Sequence, residues 1–218
     1  MSIIKRWTYL GHFYYNINCP TCQSWLTLII VDTIGSIDDL VESNVKLIKK
    51  LESLGTLMYE ISDKDSVLAS SLNIQYGTSI PKLKRTSGKI EMYGANGVID
   101  FIDEYNTKGA NIIFGCRGKV GDVYFSNKEI FILNTAFYLN VPSDRLGDYY
   151  FSIKNVSGFA NYATGAAQPQ ITLTEIKNVF INISNNASLN LIVNVIIKLQ
   201  DQNVLLEKQK NKLLSKFF

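Results

Sequence analysis

The sequence predicts an α+β chain, with one mixed domain of many short strands flanked by two long helices that form an antiparallel coiled-coil stalk. Three observations predict it. Two segments near the ends carry an unbroken heptad rhythm. The stretch between them alternates β-branched and aromatic runs with turn residues. The two heptad segments also share a faint repeat, Val31-x-x-Ile34-x-x-Ile37-x-Asp39 against Val193-x-x-Ile196-x-x-Leu199-x-Asp201, which suggests structurally equivalent helices.

The first heptad seam is Ile34, Ile37, Val41, Asn44, Ile48, Leu51, Gly55 and Met58, and the second is Leu189, Ile192, Ile196, Leu199, Asn203, Leu206, Lys210, Leu213 and Phe217. Sustained alternation of three- and four-residue steps marks a coiled-coil seam. At ~1.5 Å per residue each helix is about 40 Å long. Ser36, Asp38 and Asp39 read as the acidic start of the first helix, and Lys208 to Lys216 as the basic end of the second, both favourable to the helix dipole. Each seam holds an asparagine, Asn44 and Asn203. A buried asparagine can fix register and partner; the plainer alternative is a seam that is wetter at that level. Lys210 reads as a snorkelling side chain near the helix end.

The order along the chain follows: an N-terminal segment 1–30, helix one at 31–60, the strand-rich domain at 61–187 and helix two at 188–218. In the middle domain, Lys89–Tyr93 and Val98–Ile102 flank Gly94-Ala95-Asn96-Gly97. This reads as a hairpin whose Asn-Gly supplies positive φ. Asn111–Phe114 and Val120–Phe125 flank a second glycine turn, Gly115-Cys-Arg-Gly-Lys119. Ile130–Leu139 is an apolar run broken by Asn134 and Thr135. Leu146–Ser157 reads as a short aromatic helix. Gly165 to Pro169 is a loop, Thr172 or Thr174 caps a turn around Glu175, and Val179–Ile183 is a closing strand.

Composition narrows the function classes. Of 218 residues, 46% are hydrophobic and 19% charged, which excludes a disordered chain. The net charge of +3 excludes a polybasic tail but leaves room for a local basic cluster. The apolar stretch Trp25–Val31 is far short of the ~20 residues that span a bilayer, and residues 7–20 form no signal-peptide core, so a cytoplasmic protein without membrane contact is expected. Three cysteines are too few for a disulfide framework. Cys19-Pro-Thr-Cys22 lacks the second ligand pair of a structural zinc site. There is no phosphate-binding loop, dinucleotide fingerprint or nucleophile elbow, and the lone His12 sits in a weakly patterned stretch. The reading is a non-enzyme with no catalytic residues, no metal and no cofactor.

The basic residues are placed in loops. The middle domain carries 12 basic and 11 acidic groups. Yet Lys82, Lys84, Arg85 and Lys89 form one group, while Arg117 and Lys119 sit inside a glycine turn that can bring backbone close to a ligand. Arginine suits bidentate contact with phosphate or guanine, and Gln168 and Gln170 can pair with adenine edges. These eight residues are the candidate DNA contacts; the plainer reading is that they are ordinary solvated loop charges.

Several blocks, in order, resemble the specificity (S) subunit of type I restriction–modification systems. Ile34-Gly-Ser-Ile-Asp-Asp-Leu-Val-Glu-Ser-Asn44 resembles the start of that family's central helix. Met92 to Ile99, Gly115 to Gly121, Asn134 to Tyr138 and Thr164 to Pro169 resemble the successive signatures of its target recognition domain. Leu173 to Ile183 resembles the lead-in to the second helix, and Leu213-Leu214 its end. The resemblance covers 31–218. It implies a non-catalytic subunit that reads double-stranded DNA, while its helices dock the modification (methyltransferase) and restriction subunits. It does not assign base contacts to particular residues. Two departures stand out. The family usually carries two recognition domains and this chain has one, so residues 1–30 would be the remnant of another. The Pro- and Glu-Gln-rich lead-ins are replaced by Cys19–Ile30 and Ser184–Leu191. A half-subunit of this kind reads one half of a bipartite site, and two copies joined through the helices would read both. The helix seam residues Ile37, Val41, Asn44, Ile48, Leu51, Ile196, Leu199, Asn203, Leu206 and Leu213 would pair within one chain or between two. The competing reading is a coiled-coil interaction or scaffold protein that has lost DNA recognition.

Overall fold

The computed structural model describes residues 20–85, 87–156, 162–165 and 169–217; side chains are described from residue 29 onward, except those of 84 and 217. The chain is a mixed α+β structure with many short, mostly antiparallel strands and a long C-terminal helix. In order, the elements are α1 (Pro20–Ile61), β1 (Lys64–Leu68), β2 (Gln75–Tyr76), β3 (Ser87–Gly94), β4 (Gly97–Ile102), β5 (Ala110–Gly115), β6 (Val123–Asn127), β7 (Ile130–Ile132), β8 (Ala136–Asn140), α2 (Leu146–Lys154), α3 (Leu173–Ile176), β9 (Phe180–Ser184) and α4 (Ala187–Phe217). Among the described residues no helix is long and apolar enough to cross a membrane. The chain divides into two units: residues up to Lys50 with 197 onward, and Leu51–Ile196.

The helical unit follows its heptads. Ile34, Ile37, Val41 and Ile48 are half-buried and Asn44 is buried, while most of the residues between them are exposed. Asn44 Nδ2 donates to Asn203 Oδ1 at 2.8 Å and to Gln202 Oε1 at 3.4 Å. Lys210 Nζ donates to Asp38 Oδ1. These contacts run in opposite sequence directions along the two helices. Two expectations change. Helix α1 spans Pro20–Ile61, so Ser36, Asp38 and Asp39 lie well inside it rather than at its start; Ser36 Oγ donates to the Asp32 carbonyl four residues back, at 2.9 Å. The hydrogen bond to the Asp38 carboxylate raises the pKa of Lys210. Helix two begins at Ala187. Residues 1–19, with His12 and Cys19, lie outside the described residues, as does the side chain of Cys22.

The second unit is built on three sheets. Strands β2-β8-β5-β6 form an antiparallel sheet, β4-β3-β7 a second in which β3 and β7 are parallel, and β1-β9 an antiparallel pair. All six residues of β5 are buried, as expected of a strand covered on both faces. Strand β7 shows the two-residue period of a strand. Ile130 and Ile132 enter a cluster with Tyr93, Ile113 and Ala136, while Phe131 and Leu133 enter another with Met92 and Ile102. The expected hairpin is present as β3 and β4, but its left-handed residue is Gly97 alone (φ +86°); no non-glycine residue described has positive φ. The turn is therefore not a two-residue Asn-Gly turn but Ala95-Asn96 closed by a left-handed glycine, as in a bulged hairpin.

Helix α2 packs through Phe151, fully buried, whose ring occupies the space a Cβ on Gly55 would fill. The glycine in the first heptad seam thus receives an aromatic ring from another element. Tyr150 stacks edge-on against Phe125 (4.6 Å between centroids) and donates its hydroxyl to Glu52 Oε1 at 2.9 Å. Burial, then the Glu52 carboxylate, keeps that hydroxyl protonated. Thr172 and Glu175 form a capping box at the start of α3.

Candidate nucleic-acid interface

The turn blocks meet around one residue, Thr135. Its Oγ1 accepts from Ala95 N at 3.3 Å, at the tip of the β3–β4 hairpin. Its carbonyl accepts from Cys116 N (3.0 Å) and Arg117 N (3.3 Å) of the second glycine turn. That turn in turn holds the segment before α3: Gly118 N donates to the Pro169 carbonyl at 2.9 Å, and Ile171 N to the Cys116 carbonyl at 2.9 Å. Residues 95, 116–118, 135 and 169–171 are therefore tied together by backbone bonds and the Thr135 hydroxyl, which rigidify without using charged side chains.

Glycine is required at two points of this assembly. A Cβ on Gly115 would lie 2.0 Å from the Lys119 carbonyl oxygen, so only glycine lets the turn close. Gly118 has φ +87°, the left-handed region open to glycine. Cys116 is buried, its Sγ 3.7 Å from the Asn134 carbonyl. Burial pushes its thiol pKa up to about 11, so it is an inert packing residue rather than a nucleophile.

The candidate contact residues separate into two groups. Arg117 and Gln170 come together as an antiparallel bridge pair. Arg117 is half-buried and its Nε is buried without a hydrogen-bond partner. Lys119 is exposed, with Asp122 3.7 Å from its Nζ. Gln168 lies outside the described residues. Lys82 and Lys84 share one turn of 3-10 helix, closed by Arg85 N donating to the Lys82 carbonyl at 3.2 Å. Lys82 is exposed, the Lys84 side chain is not among those described, and Arg85 is half-buried with an unpartnered Nε. Lys89 is exposed on β3 rather than in that turn.

Two supporting residues were not singled out by sequence as part of a site. One is Thr135. The other is Asn106, whose side chain bonds both the carbonyl and the N–H of Ile132 at 2.8 Å and so acts as a short strand beside β7. The first is marked in the sequence as a polar residue inside an apolar run and by its place in the Asn134–Tyr138 block; nothing local marks the second. Among the described residues no cluster of His, Cys, Asp and Glu could hold a metal.

A solved structure shares this fold. The S subunit of the type I restriction-modification system from M. genitalium is 15% identical with a TM-score of 0.61, over 87% of this chain and 56% of that chain. The HsdS subunit from Thermoanaerobacter tengcongensis is 14% identical (TM-score 0.45), over 90% of this chain and 57% of that chain. A structure concerned with complex assembly and conformational transition of the type I R-M system is 13% identical (TM-score 0.49), over 91% and 57%. The chain thus spans a little over half the length of these proteins. No curated protein matches its sequence. The family model for the type I restriction modification DNA specificity domain matches residues 68–216, which is most of the chain, and the chain belongs to that family.

Proposed function

We propose that this chain is a non-catalytic DNA-reading subunit of a type I restriction–modification complex, working with the DNA in the cytoplasm. Its strand-rich domain reads one half of a bipartite double-stranded target. Its two long helices form an antiparallel coiled-coil stalk that docks the methyltransferase subunit, and through the assembled complex the restriction subunit. A second copy, joined through the helices, supplies the other half-site, so a homodimer reads a two-fold related target.

The observation that carries this reading is the convergence of the β3–β4 hairpin tip and the second glycine turn on Thr135, with the 169–171 segment held in turn by that glycine turn. It gives Arg117, on a turn braced by Thr135 and Pro169, a rigid base beside Gln170. Rigid backbone with mobile polar tips is the arrangement that base readout needs. The stalk is supported by the Asn44–Asn203 and Asp38–Lys210 contacts, which recur in reverse order along the two helices.

Co-expression with a cognate modification subunit, followed by footprinting, tests it. A stable complex and sequence-dependent protection are expected. A complex without sequence-dependent protection would favour a scaffold that has lost DNA recognition, and neither complex nor protection would overturn the reading.

A further inference from the structure

Leu83 is the most exposed large apolar side chain described, at 101% of its free area against 86% for Ile61. Three residues earlier, Ile80 packs onto the core cluster of Met92, Ile102, Phe131 and Leu133. The chain therefore anchors one aliphatic residue and then presents another to solvent. The turn that carries Leu83 is short and constrained: Pro81 fixes φ at −59° on one side, and the Arg85–Lys82 backbone bond closes the other.

The surroundings are cationic. Lys82 precedes Leu83 and is exposed. Arg85 follows, with its Nε buried and unpartnered, which roots the guanidinium at its stem. A single leucine between cations is too small to anchor a protein interface, which is built on clusters of apolar and aromatic residues. It suits duplex DNA. Cations settle on the phosphates to either side, and an aliphatic side chain with no hydrogen-bonding atoms finds apolar surface at thymine methyl groups and, standing out this far on a constrained turn, between stacked bases.

We infer that Leu83 is a wedge that enters the base stack of the bound DNA from the Lys82–Arg85 turn. This rests on the DNA-reading function proposed above. It adds a contact that reports on the deformability of a base step rather than on hydrogen bonding, so it contributes specificity by shape.

The test uses the full chain and a duplex carrying the sequence it enriches from a randomised library, with 2-aminopurine placed at each position in turn. The wild-type chain is expected to raise fluorescence at one step. Leu83→Ala should abolish that rise and weaken binding about tenfold with an unchanged salt slope. Leu83→Phe should retain the rise. Leu83 supports no packing, so thermal unfolding of both variants should match wild type. Sequence-specific binding with no fluorescence rise, or with Leu83→Ala at full affinity, overturns the wedge while leaving DNA reading intact. Weakened binding of Leu83→Ala to a modification subunit, with DNA binding unchanged, would make it a protein contact and overturns it too. Failure to enrich any sequence overturns both proposals.

Discussion

In the helical unit, spacing along the chain decides which side chains are covered. Ile34, Ile37, Val41, Asn44 and Ile48 are withdrawn from solvent because they recur at steps of three and four, and Asn203 meets Asn44 at the same level. In the strand-rich unit, covered residues meet across long separations. Ile132 joins Tyr93 and Ile113, Phe151 fills the notch at Gly55, and Ala95, Cys116 and Arg117 all bond to Thr135. The first unit is set by a periodic rule in which no single position carries the pattern alone. The second depends on single residues at junctions, and its loops inherit their rigidity from those junctions.

That contrast can be broken at its strongest point first. Phe151→Ala removes a fully buried ring from the strand-rich unit and should cost about 3–5 kcal/mol, read by denaturant unfolding; a cost near zero would mean the unit does not depend on that junction. Next, Gly115→Ala places a methyl against the Lys119 carbonyl. It should cost about 1–3 kcal/mol and, more tellingly, reduce DNA affinity by displacing Arg117, so DNA titration alongside unfolding checks it. Smallest is the helical unit. Asn44→Leu leaves Asn203 facing an apolar neighbour and should cost about 1 kcal/mol, whereas Asn44→Leu with Asn203→Leu should recover that loss or exceed it. A double-mutant cycle measures the coupling, and additive effects would remove the pair as a register device.

The same contrast explains what the sequence revealed. The helices were legible because heptads are a local pattern, as were the β3–β4 hairpin and the β7–β8 run. The start of α1 was not: Ser36 and the acidic pair after it look like a first turn, and nothing local shows that the helix already runs from Pro20. The Asn-Gly pair of the hairpin supplies its positive φ through Gly97 alone, which the dipeptide does not distinguish from a turn with both residues left-handed. For the candidate site, the turn blocks were each visible, but their meeting at Thr135 depends on sheet topology. The backbone pairing of Arg117 with Gln170, 53 positions apart in the sequence, could not be read from spacing. Asn106 carries no sequence signal because its role is defined by a partner strand.

In the proposed function, rigid turns of the strand-rich unit present basic side chains to DNA. Salt-dependent binding of wild type and Arg117→Ala to the enriched duplex tests it most directly. Arg117→Ala is expected to bind more weakly, with a logarithmic salt slope smaller by about one if the contact is to phosphate, or relaxed preference at one base pair if it is to a base, with folding stability unchanged. Unaltered affinity, slope and sequence preference would contradict it.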